Sequence, residues 1–169
     1  MTIISDATAL ILLSKVGLLE VLVKKNVIFI PKKVYEEVVK GREKGRFDSL
    51  IVEKLIQESK IKIKMPNKQI KNRIEKFFNI KGGELEVISL AYKTKSLILT
   101  DDKKCINIAK TLNLDFANSL NVIISLYKKK QITKQKALWS IERLEDFGWY
   151  NKDLIKNSKE ELKWWKMYQ

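Results

Sequence analysis

Five carboxylates occupy positions from which they could do chemistry together: Asp6, Glu37, Glu84, Asp101 and Asp102. Two short apolar runs, "TIIS" and "SLILT", end directly on acids, the first on Asp6 and the second on the adjacent pair Asp101 and Asp102. An aspartate after a strand commonly caps the helix that follows, and Asp6 taken alone reads as the cap of a helix beginning near Ala7. Capping can employ one of Asp101 and Asp102 but hardly needs both. At about 100° per helical residue, Val34, Tyr35, Val38 and Val39 form one apolar arc, with Glu37 at its inner margin and Glu36 turned to water. The same test in "GGELEVISLA" groups Glu84 with Val87, Ile88 and Ala91, and Glu86 with Ser89, Leu90 and Lys93. Glu84 is therefore expected to point inward and Glu86 outward; Glu84 also suits the positive end of its helix.

Gathering such groups needs compensation. Two carboxylates about 5 Å apart repel by about 3 kcal/mol at an effective dielectric of about 20. The available compensators are Lys103, Lys104, a shared proton or a divalent cation. Histidine is absent and Cys105 is the one cysteine, which excludes imidazole bases, a Ser-His-Asp triad, an intramolecular disulfide and a thiolate metal cage. Cys105 itself reads as a small hydrophobe on a helix face. Oxygen donors alone suit Mg²⁺ or Mn²⁺, which can activate a water and offset the charge developing on a scissile phosphate.

The elements that must position these acids follow from the pattern. Strands are expected at "TIIS", "VIFI", "KIKI", "SLILT" and "LDFA", separated by helical stretches, which predicts an α/β domain with a mostly parallel sheet. Helices are expected over about residues 7–25 with a break near Gly17, over "PKKVYEEVVKG" with Pro31 at its start and Gly41 at its end, and over about 83–94, 103–112 and 119–130. After Lys130 the strand signals stop. Two helices separated by Phe147, Gly148 and Trp149 follow, and in the last of them Leu154, Ile155, Ser158, Leu162 and Trp165 share a packing face. At 169 residues, 45% hydrophobic and 32% charged, the chain fits one globular domain with a small appendage. No apolar run approaches a membrane span and the N-terminus lacks a cleavage site, so a soluble, cytoplasmic protein is expected.

With these pieces in family order, "IISDATALILLSKVGLLE", "IPKKVYEEVV", "KGGELEVISLA" and "LILTDDKKCINIAKTL", the chain resembles a PIN domain, from a family of Mg²⁺- or Mn²⁺-dependent nucleases that includes toxin-antitoxin ribonucleases. The resemblance covers about residues 2–130 and implies a three-layer α/β/α fold over 1–130, followed by a C-terminal helical pair over 131–169 that packs on the domain or on a partner subunit. It implies an endoribonuclease with Asp6, Glu37, Glu84 and Asp101 or Asp102 as catalytic acids, and Asp6, Glu84 and Asp101 or Asp102 as metal ligands. The matching contacts to nucleic acid are Lys103, Lys104, Asn118 and Ser119. Implied partners are single-stranded or structured RNA, an antitoxin and a second subunit, and no membrane. Two departures stand out: the third acid is often Asp in active members and is Glu84 here, and beyond strand 5 the chain offers Asn118 and Ser119. The alternative is a PIN-fold protein that binds nucleic acid with weak or no turnover.

The formal charge of +14 points to an anionic partner. Eight basic residues between 60 and 81 face one acid, Glu75, and Lys128, Lys129, Lys130, Lys134 and Lys136 form a second cluster. These suit phosphate tracking without sequence readout. Phe77, Phe78, Trp164 and Trp165 could stack on bases, but their helical spacing assigns them to core or dimer packing.

Overall fold

The computed structural model describes residues 2–147 and 150–165, with the side chain of Arg42 left aside. Five strands, β1 (Thr2–Ser5), β2 (Val27–Ile30), β3 (Ile61–Ile63), β4 (Leu97–Leu99) and β5 (Phe116–Ala117), form one parallel sheet in the order β3-β2-β1-β4-β5. A parallel sheet is covered on both faces, and its strands read accordingly as nearly unbroken apolar runs. Ile3, Ile4, Ile28, Ile30, Ile98 and Leu99 are buried. In register, Ile4 lies opposite Phe29 on one side and Ile98 on the other, and Ser5 opposite Leu99.

Between strands run α1 (Ala7–Lys15), α2 (Leu19–Val23), α3 (Lys32–Glu43), α4 (Phe47–Gln57), α5 (Lys68–Phe78), α6 (Gly82–Thr94) and α7 (Lys103–Thr111). The expected break between the first two falls at Gly17, which takes φ +67. From β1 to β3 the chain steps one way across the sheet, then returns past β1 to β4 and β5. With right-handed crossovers, α1 to α4 cover one face and α5 to α7 the other, giving the α/β/α layering. The reversal lies between β1 and β4, so a crevice is expected outside their carboxyl ends.

Two features differ from the sequence pattern. Helices α4 and α5 stand where no element was expected. Gly41 does not end α3, which runs two residues further; a Cβ at Gly41 would lie 2.5 Å from Ser49 Oγ. The glycine is there to let α4 approach α3.

Residues through Asn118 form one compact unit and residues from Ser119 a second. The second consists of α8 (Ser119–Lys128), α9 (Lys134–Asp146) and α10 (Lys152–Trp164), each in contact with the other two. Ile155, Ser158 and Leu162 of the expected α10 stripe are buried, whereas Leu154 is exposed. Lys128 pairs with Glu161 at 2.5 Å and Lys159 with Glu145 at 3.1 Å. This division and the expected one after residue 130 differ by one helix, α8. Phe147 ends α9, while Gly148 and Trp149 lie outside the described residues. Among the described residues no helix is long and apolar enough to cross a membrane.

Candidate metal centre at the carboxyl edge of the sheet

The end of β1 is tied to β4 through the Asp6 N–H, which donates to the Leu99 carbonyl at 3.1 Å. The Asp6 side chain is buried. One oxygen accepts from the Ala9 N–H at 2.8 Å and so caps α1; the other accepts from the Thr100 hydroxyl. Both donors are neutral, and neither offsets a full charge. Burial pushes the Asp6 carboxyl up to about 7; the two hydrogen bonds, to Thr100 and then Ala9, pull it down, and the charges of Asp101 and Glu84 raise it.

Thr100 organises the edge, and sequence reasoning missed it. Its hydroxyl donates to Asp6 and accepts from the Asp102 N–H at 3.1 Å, and it also bonds the Cys105 thiol. The available signal was the repeated pattern of a buried hydroxyl residue followed by aspartate at two strand ends, Ser5-Asp6 and Thr100-Asp101. The aspartate pair divides its labour. Asp102 caps α7, accepting from the Cys105 N–H at 2.7 Å. Asp101 is buried, and its charge helps to raise the Asp6 carboxyl. Cys105 is buried and its thiol is pushed up to about 12, by burial first and then by Asp6, which keeps it neutral.

The glutamates arrive from two helices. Glu37 of α3 is exposed and Glu36 is the more covered of the two, the reverse of the expected order, because the Glu37 side chain reaches along the surface to lay its carboxylate on the first turn of α6, where it accepts from the Gly83 N–H. A Cβ at Gly83 would lie 2.8 Å from Glu37 Oε1, so a side chain there would push the Glu37 carboxylate off this turn. Burial and then the charge of Glu84 push the Glu37 carboxyl upward, against the Gly83 bond. Glu84 thus acts on Glu37 and on Asp6, which links the acids in the sequence Glu37, Glu84, Asp6, Asp101.

Glu86 corrects the sequence reading. It is buried, not turned to water, because α6 is covered almost all round and has no solvent face at that turn. Its Oε2 accepts from the Lys33 N–H at the start of α3 at 3.2 Å, and its Oε1 holds Lys71 of α5 at 2.8 Å. Each of α3 and α6 therefore sends a glutamate from its second turn to an N–H in the first turn of the other. Glu86 satisfies an orphan N–H of α3, and Glu37 satisfies one of α6.

The donors are all carboxylate oxygens, and the buried Asp6 has only neutral hydrogen-bond partners, which fits a hard divalent cation in kind. Among the described residues no three acidic or thiol groups stand close enough to enclose an ion as they are. The acids adjoin in pairs.

Of the expected phosphate contacts, Lys103 is exposed at the start of α7. Lys104 donates instead to the Asn79 carbonyl at 2.8 Å, where α5 ends. Asn118 is half-buried just past β5, and Ser119 is fully buried and does not reach the surface. In the C-terminal unit, Lys128 is taken up by Glu161 and the Trp165 ring, 4.7 Å away, and Lys136 lies 4.0 Å from the Trp139 ring. Phe77, expected in packing, is 77% exposed.

The family model DUF3368, whose description is PIN domain, matches residues 2–163. The chain is 34% identical over 91 residues to endoribonuclease Nob1 of Pyrococcus abyssi (strain GE5 / Orsay), a match covering 50% of this chain and 53% of that protein. It thus spans about half the length of this curated relative. Among solved structures, a chain of VapBC2 from Rickettsia felis, bound to a DNA fragment from its promoter, matches with a TM-score of 0.50 and 20% identity. That match covers 70% of this chain and 98% of the other, and supports the fold.

Proposed function

The chain belongs to the PIN-domain family, and from that premise we propose that it is a Mg²⁺- or Mn²⁺-dependent nuclease, an endoribonuclease that hydrolyses phosphodiester bonds. One observation carries the reading. Asp6 is buried at the switch point of the sheet, its carboxyl raised to about 7, with Asp101 and Glu84 adding negative charge beside it. A cation at this edge would relieve that crowding. When bound, such an ion lowers the pKa of a water and offsets charge on the phosphate.

The chain's own residues have distinct parts in this reading. Asp6, Glu84 and Asp101 would hold the ion. Asp102 is the other candidate at the end of β4, with one oxygen committed to capping α7. Thr100 fixes the Asp6 carboxylate in place. Glu37, anchored on Gly83, orients a water, and exposed Lys103 meets the phosphate. The relative named endoribonuclease Nob1 supports RNA as the substrate. An antitoxin partner and a homodimer accompany the proposal; co-purification and light scattering test them. The main test incubates single-stranded RNA with the protein and Mn²⁺, with EDTA and Asp6→Asn as controls. Loss of cleavage in both controls is expected; cleavage that survives both comes from a contaminant and ends the proposal.

A second reading, a PIN fold that binds nucleic acid without turnover, is favoured by the lack of a ready-made three-acid cage among the described residues. Thermal unfolding with added Mn²⁺ separates the two. A working centre is stabilised increasingly as Mn²⁺ rises above its dissociation constant, and a vestigial one is not.

A further inference from the structure

Helix α5 is fastened to the acidic edge at both ends yet offers an unpartnered outer face. Near its start Lys71 points inward to Glu86, and at its end the Asn79 carbonyl, in the left-handed cap, receives Lys104 from the first turn of α7. Lys104 lies two residues beyond Asp102, and Phe77 two residues before Asn79. The outer face carries Gln69, Asn72, Arg73, Lys76 and Phe77 at i, i+3, i+4, i+7 and i+8, all exposed. The helix's one acid, Glu75, is half-buried and falls off this stripe. Only Ile74 of α5 is fully buried, so Phe77 contributes nothing to the core.

We propose that this face receives single-stranded nucleic acid beside the acidic edge, with Arg73 and Lys76 on the phosphates and Phe77 stacked on a base. The occupant follows from charge and shape together. A protein partner matched to a lone exposed ring would want an apolar surround, whereas here the ring's neighbours on the stripe are two cations and two amides. Cations that track phosphate, interleaved with an aromatic face, are what a flexible strand with unstacked bases requires. Because α5 is bonded to the turns that carry Glu86 and Lys104, a strand lying on it is delivered toward Asp101 and Asp102. The assignment rests on the nuclease reading but is tested apart from it.

Binding of a fluorescent single-stranded oligouridylate to the full chain is measured in EDTA, so that cleavage plays no part. Phe77→Leu keeps an apolar side chain and removes the ring, and is expected to weaken binding by about tenfold, while Phe77→Trp retains or tightens it. Equal binding by wild type and Phe77→Leu overturns the proposal. So does an unchanged affinity accompanied by a shift of the Phe77→Leu protein from dimer to monomer in light scattering, which makes the ring a contact between copies of the chain. Wild-type cleavage in Mn²⁺ is scored separately, and its failure strikes the nuclease reading while leaving the binding comparison to decide the role of α5.

Discussion

Replacing Asp6 by Asn isolates the electrostatic cost of the acidic edge. In the folded protein the Asp6 carboxyl rises from its ordinary 3.8 to about 7. At about 1.4 kcal/mol for each tenfold change in proton affinity, keeping it ionised in the metal-free fold costs about 4 kcal/mol. The folded state holds the proton more tightly than the unfolded chain, so stability falls as pH rises. The fall begins above about 3.8 and is complete above about 7. Asn keeps the cap, since its carbonyl oxygen accepts from the Ala9 N–H as before, and its amide can donate to a Thr100 hydroxyl turned to accept. Both proteins are unfolded with urea in EDTA at about pH 4 and about pH 8, and far-UV circular dichroism follows the transition. All four tryptophans, at 139, 149, 164 and 165, belong to the C-terminal unit, so their fluorescence reports on the wrong part of the chain. The advantage of Asp6→Asn over wild type is expected to grow by up to about 4 kcal/mol between the two conditions. A change smaller than about 1 kcal/mol refutes the claim that burial first, and the charges of Asp101 and Glu84 after it, raise the Asp6 carboxyl, and leaves Asp6 as a helix cap. Mn²⁺ at about pH 8 should then stabilise wild type and leave the variant unmoved.

The neighbouring aspartates separate by role: Asp101→Asn should abolish the Mn²⁺-induced rise in melting temperature, whereas Asp102→Ala should lower metal-free stability by about 1 kcal/mol through loss of the α7 cap, read by urea titration. Glu86→Ala strands Lys71 and an N–H of α3 and should cost about 2 kcal/mol, with accelerated amide exchange in the first turn of α3 as the local signature. Gly41→Ala drives a Cβ to 2.5 Å from Ser49 Oγ and should destabilise by about 1–3 kcal/mol. Ser49→Ala should rescue it, because the next contact is an ordinary 3.6 Å and the Ser49 hydroxyl is buried without a hydrogen bond.

The alternation of short apolar runs and helical stretches made the sheet legible, because strands buried on both faces leave little choice of residue. β5 was harder: "LDFA" pairs only through Phe116 and Ala117, while Leu114 is buried outside the ladder. Helices α4 and α5 escaped for opposite reasons. α4 begins without a side-chain cap and with an exposed Phe47. α5 has a proper cap in Asn67, but its cations hide a weak apolar period in which only Ile74 is fully covered. The acids at strand ends were legible because strand order and residue type suffice to bring them to one rim. Glu86 was not, since angular position tells inside from outside only on a helix with a water face, and α6 has almost none. Thr100 escaped because a hydroxyl's value lies in the partners it meets, and those come from β1 and α7.

The bonds that build the acidic edge are long in sequence. Thr100 reaches back 94 residues to Asp6, and Glu86 reaches back 53 to Lys33. Loop closure over such spans must precede the contacts that reward it, so these long-range bonds form later than the local caps made by Asp6 and Asp102. A nascent chain that has not yet emitted β4 has no Thr100 to partner the second oxygen of Asp6. On the nuclease reading proposed above, cleaving capacity is thereby withheld during synthesis. Its onset coincides with completion of the sheet, and cleavage by ribosome-bound fragments cut before residue 100 should be absent even when their first strands have formed.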